Sequence, residues 1–165
     1  MKPRDRGKHK GRRETGTYTG IPHAVQDCAN WAACSGTAIK MLCDVARQYN
    51  GKNNGDLCGA LSVLQRYGWK SDDTVFWALR ELRYYGLIVL TRQGGLHAPS
   101  LYAVTWHAID ACGGKLDCAE TTTPPGDWKI PRAERFKRPP KKRNATTPSV
   151  AASYAIRSNK SKKAA

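Results

Sequence analysis

No stretch of this sequence reaches the roughly 18 consecutive apolar residues of a membrane span. The basic start, MKPRDRGKHKGRRETGT, is not followed by an apolar run, so no secretory signal is expected there. These two absences point to a soluble, cytoplasmic chain. Chemistry-bearing patterns are missing as well. No Gly-rich loop opens a helix with G-K-[ST], no His/Cys/Asp grouping has nucleophile spacing, and no paired metal ligands occur. The six cysteines, Cys28, Cys34, Cys43, Cys58, Cys112 and Cys118, contain no C-x-x-C pair. Their closest spacings leave five residues between partners, a poor fit to zinc. In a reducing cytosol they read as free, partly buried thiols. His23, His97 and His107 are scattered and read as structural. No enzyme activity, cofactor or metal is expected.

Acidic residues are scarce, 13 against 28 Lys/Arg, which leaves a net charge of +15. Such an excess favours a polyanionic partner, nucleic acid or an anionic membrane surface. Its distribution matters more than its sum. Met1 to Gly16 holds seven Lys/Arg and two acids, and Lys129 to Ala165 holds twelve Lys/Arg and one acid. Between them, Thr17 to Trp128 carries nine basic and ten acidic residues. The middle is almost neutral, and the ends are cationic.

That partition suggests three regions. Residues 1–16, basic and without apolar periodicity, read as a disordered arm. Residues 17–118 read as one domain. Residues 119–165 read as a Pro-rich basic tail, largely disordered, because the pairs Pro124–Pro125 and Pro139–Pro140 remove backbone donors and restrict their neighbours. Trp128, Ile130 and Phe136 are the apolar groups able to pin parts of that tail onto the domain.

Within the domain, IPHAVQDCANWAAC predicts one short helix with Val25, Cys28 and Trp31 or Ala32 on a shared face. Ser35 caps a strong helix whose Ile39, Leu42, Cys43 and Ala46 follow helical spacing. NGKNNG stops it, and DLCGA is long enough for one small strand. ALSVLQRYGW predicts two helical turns ended by Gly68, with Leu61, Leu64 and Val63 inward. Ser71 caps the next helix, where Asp72 and Asp73 suit the positive end of the dipole. There Val75, Ala78, Leu79 and Leu82 share one side, and Gly86 is the stop. LIVLTR and SLYAVTW are β-rich runs, and the QGGLHAP between them looks too long for a two-residue turn.

Helix, short strand, helix, turn, helix, strand, loop, strand is the order of an α+β winged helix-turn-helix, a three-helix core plus a β-hairpin wing. A helix fits the major groove and a hairpin can follow the adjacent backbone. The stretches RQYNGKNNG, SDDT, ALREL and GLI, followed by the wing, resemble winged-helix DNA-binding proteins of proteobacterial phages, prophages and plasmids, over about Gly20 to Trp106. The GGKLD…TTTPPGDWK extension shares the likeness. The resemblance implies a sequence-specific double-stranded DNA binder, a transcription regulator or a replication and maintenance factor of a mobile element. Many relatives place Lys, Ser or Arg on the exposed face of the third helix, where this chain has Asp72, Asp73, Phe76 and Trp77.

The candidate DNA-facing residues are therefore Lys70, Ser71, Thr74, Trp77, Arg80 and Arg83, with Arg92 and His97 from the wing. Arg12, Arg13, Arg138, Lys141, Lys142 and Arg143 are candidate phosphate contacts of the arms. The acids either stabilise the helix start or accept from cytosine N4; Phe76 either packs or touches a thymine methyl. Phe76 and Trp77 are equally candidates for a homodimer or protein-partner surface, which would make the fold an interaction scaffold. An RNA-binding role lacks the aromatic sheet motif it would need.

Overall fold

Two serines start the two long helices. Ser35 Oγ accepts the Ala38 N–H at 3.2 Å, and Ser71 Oγ accepts the Thr74 N–H at 3.4 Å. Each such cap satisfies a donor that has no partner within its helix and contributes ~1 kcal/mol. In the computed structural model, which describes residues 16–140, the helices are α1 (His23–Gln26), α2 (Ala29–Ala33), α3 (Gly36–Ala46), α4 (Leu61–Leu64) and α5 (Asp72–Tyr84). A 3-10 turn, Gln65–Tyr67, extends α4, and Gly68 at φ +89° ends it. Strands β1 (Leu57–Cys58), β2 (Ile88–Arg92) and β3 (Leu101–Val104) form one antiparallel sheet in the order β1–β3–β2. The chain is α+β, and among the described residues no helix is long and apolar enough to cross a membrane.

The core sits where α3 and α5 cross above the sheet. Val75, Ala78, Leu79 and Leu82, the stripe expected for α5, are all buried. On α3 the buried stripe is Ala38, Met41, Leu42, Val45 and Ala46; of the expected face Leu42 and Ala46 are buried, Ile39 is half-buried and Cys43 is exposed. Both phases of that helix have 3.6-residue spacing, so periodicity alone could not choose between them. Leu64, Leu87, Ile88 and Val104 complete the centre, and each fully buried aliphatic side chain contributes about 1.5–3 kcal/mol.

Gly86 closes α5 at φ +67°. Its N–H reaches Arg83 O and the Leu87 N–H reaches Leu82 O, the paired bonds of a Schellman stop. A side chain there would also meet the backbone of Asp127 at 2.8 Å. Two of the sequence expectations change here. The single N-terminal helix is broken in two, because Cys28 leaves helical geometry and its Sγ caps α2 by accepting the Trp31 N–H. The loop after β2 does end in a two-residue turn: Gly95 pairs with Ala98, leaving Leu96 and His97 at the tip. A bulge between Leu90 and Arg92 turns Thr91 inward, where its Oγ1 donates to Gly55 O at 2.5 Å.

Residues 119–140 were expected to be largely without structure. Instead they lie on the body. Beyond the 3-10 turn Asp127–Lys129 they form no helix or strand. Several of their backbone groups are satisfied by the body's own groups, as where Gly126 N–H meets Thr105 O at 2.9 Å. Trp128 and Phe136 pack against the core, whereas Ile130 is exposed.

Asn54 joins the helical and sheet halves. It is fully buried; its Oδ1 accepts the Val104 N–H at 2.8 Å, and its Nδ2 faces the carbonyls of Val104, His107 and Ala108 at 2.9–3.1 Å. Asn54→Ala strands those groups in a dry interior and is expected to cost about 3 kcal/mol, read as a lower urea midpoint at unchanged slope. Cys43→Ser, on the exposed side of α3, should stay within about 0.5 kcal/mol.

Candidate nucleic-acid interface

The outward side of α5 carries two stripes. One runs Asp73, Trp77, Tyr84; the other runs Phe76, Arg80, Arg83. The first is partly covered. From Trp128 onward the chain turns back and follows α5 from its C-terminal end to its start, as a strap. Asn30 holds the strap's beginning: it is 2 % exposed, its Nδ2 donates to Trp128 O (3.0 Å) and Ile130 O (2.8 Å), and its Oδ1 accepts the Arg132 N–H (3.0 Å). Arg132 Nε then donates to Tyr84 O at 2.8 Å, satisfying a carbonyl at the end of the helix. Tyr84 Oη donates to Glu134 O, and the Phe136 N–H is received by Tyr85 Oη, both at 3.0 Å.

Phe136 then packs beside Tyr84 and Trp77, at ring-centroid distances of 5.6 and 6.3 Å. Arg138 lies over the Trp77 ring and pairs with Asp73, whose other oxygen accepts the Trp77 Nε1–H. Both members of the pair are about half exposed, so it contributes no more than ~1 kcal/mol to stability. Its electrostatic effect is larger in meaning than in energy: one of the two acids at the helix start is neutralised by the chain itself.

The second stripe is open. Phe76 is 50 % exposed and meets Trp77 edge-on. The Arg80 guanidinium sits 5.4 Å from both ring centroids, so its charge is held over an aromatic surface. Arg80 and Arg83 are exposed and line a groove of about 550 Å³ between α5 and the hairpin, with Gln93, Ser100 and Tyr102 on its far side.

The expected site residues therefore separate. Lys70 is exposed and shares a shallow groove with Lys40 and Thr74 in front of α5. Ser71 is engaged as the cap. Thr74 is half-buried between two grooves. Arg80 and Arg83 belong to the open stripe, and His97 is exposed at the hairpin tip beside Leu96, itself 91 % exposed. Trp77 is half-buried, because Phe136 and Arg138 pack over part of its ring. Arg92 also turns away. Its Nη2 donates to Pro99 O across the hairpin, and its Nε is buried without a partner among the described residues. Arg12, Arg13, Lys141, Lys142 and Arg143 lie outside the described residues. Sequence reasoning missed Asn30, a polar residue in an apolar helix whose burial is the signal of a buried polar partner.

All six cysteines are unpaired in the structure. The Cys34 thiol, beside the strap, is pushed up to about 12 by burial, with Glu81 adding to it. It should therefore resist alkylation at neutral pH in the folded protein and react fully in denaturant. Asn30→Ala leaves three strap backbone groups without a partner. Tryptic cleavage after Arg132 and Arg135 is expected to rise about tenfold, the effect of a local loss near 1.4 kcal/mol; an unchanged cleavage pattern would show that Asn30 does not hold the strap. No family model, curated protein or solved structure matches this chain.

Proposed function

We propose that this chain is a double-stranded DNA-binding protein on a winged helix-turn-helix plan, acting as a transcription regulator or as a replication and maintenance factor of a mobile element. The observation that carries this reading is the placement of α5. It follows α4 through a tight turn, precedes a hairpin, and keeps a stripe of Phe76, Arg80 and Arg83 open beside that hairpin. A helix with exposed arginines fits a major groove, where guanidinium groups reach guanine edges and phosphates alike. The acids at the helix start fit the reading better with Arg138 in place, because Asp73 then presents little net charge to a phosphate. The cationic segment from Lys129 onward adds attraction that is independent of sequence.

A second reading makes the same fold a protein-interaction scaffold. It is favoured by one observation, the half-exposed ring of Phe76 at the centre of the open stripe. Phe76→Ala separates the two: loss of a protein complex with duplex binding intact supports the scaffold.

Selection from random duplexes with the full chain at moderate salt is expected to enrich a motif, and Arg80→Gln/Arg83→Gln to weaken binding to it. Recovery of no motif would remove the sequence-specific part of the proposal. The role of Asp73 is tested by a cycle. Arg138→Gln should weaken duplex binding about fivefold, the size of an exposed charge effect near 1 kcal/mol. Adding Asp73→Asn should restore most of that loss; no recovery means that Arg138 acts otherwise than by masking the acid.

A further inference from the structure

Trp77 and Phe136 form an aromatic ridge along the outside of α5, and cations stand on both sides of it. Toward the hairpin, Arg80 and Arg83 line the groove of about 550 Å³ with Phe136 as a wall. Toward α3, Arg135 and Arg138 line a second groove of about 470 Å³, again with Phe136 as a wall. Arg138 is paired with Asp73. Arg135 and its neighbour Lys137 are exposed, and neither has an ion-pair partner among the described residues. They flank the one strap residue, Phe136, whose ring and N–H are both fixed to α5 and Tyr85.

Size decides what this second row can touch. A major groove is about 12 Å wide, and an α-helix with its side chains is about 10–12 Å across. The helix alone fills the groove. The strap, packed over the Asp73–Trp77–Tyr84 stripe toward α3, widens the body beyond the groove, so its exposed cations meet a groove edge, where the phosphates are.

We propose that Arg135 and Lys137 are phosphate contacts for a duplex that straddles the ridge, with Arg80 and Arg83 facing one sugar-phosphate strand and the strap pair facing the other. The inference rests on the duplex reading above and adds a built element to it. The backbone that carries these cations is held by Phe136, so they meet DNA without the backbone ordering cost that a free tail carries.

The test is titration of a short mixed-sequence duplex with the full chain over a range of salt. Neutralising two phosphate contacts lowers the salt slope by about 1.8, at ~0.9 per contact. Arg135→Gln/Lys137→Gln is expected to show that fall, and Arg47→Gln/Lys52→Gln, at the far end of α3, to leave the slope near that of the parent chain. Phe136→Ala keeps every charge, yet should weaken binding and flatten the slope, with folding checked by circular dichroism. An unchanged slope for the strap pair, while Arg80→Gln/Arg83→Gln still weakens binding, overturns this inference and leaves the duplex reading standing. An equal fall for the far pair overturns it too, since only net charge would then matter. Failure of the full chain to bind any duplex removes the reading itself.

Discussion

The carboxamide of Asn30 is the fixed point for the outer surface of this protein. It is buried, and a buried amide left unpaired costs more than most single contacts contribute. It is satisfied by chain from about a hundred residues later, the backbone of Trp128, Ile130 and Arg132. Once that chain is seated, its course is set. Arg132 meets the end of α5, Phe136 lands on Trp77 and Tyr84, and Arg138 arrives at Asp73. Which side chains of α5 face solvent is therefore decided on α2.

This arrangement reconciles two features that conflict in isolation. A helix with Asp72 and Asp73 in its first turn is stabilised by its own dipole, yet acids oppose a polyanion. Pairing Asp73 with Arg138 keeps the favourable helix start while cancelling one of the charges. Arg80 shows a related economy: held over Phe76 and Trp77, its guanidinium keeps its charge and loses some of its freedom.

Much of the frame was legible in the sequence, because local rules fixed it. Ser35 and Ser71 cap, Gly68 and Gly86 stop, and the Val75–Ala78–Leu79–Leu82 stripe packs inward, each as its residue type dictates. The phase of α3 was not legible, since apolar residues cover more than half its circumference. The strap was not legible for a different reason. Proline pairs correctly argued against helix and strand, but order does not require either one. Irregular backbone is held firmly when other parts of the chain supply its partners, and those partners, the side chains of Asn30, Tyr84 and Tyr85 and the carbonyl of Thr105, are distant in sequence. The site suffered most from this. Trp77 and Arg92 were candidates read from their own elements, and each is half-buried by chain packed over or across it.

The separation between Asn30 and its partners has a consequence for biosynthesis. Everything needed to form α5 has emerged from the ribosome some fifty residues before Phe136 and Arg138 do. During that interval the nascent body presents the indole of Trp77 uncovered. Long-range closures of this kind come late in folding and leave apolar surface open to chaperones or to neighbouring chains. A truncated product ending near Trp106 would keep that exposed indole permanently.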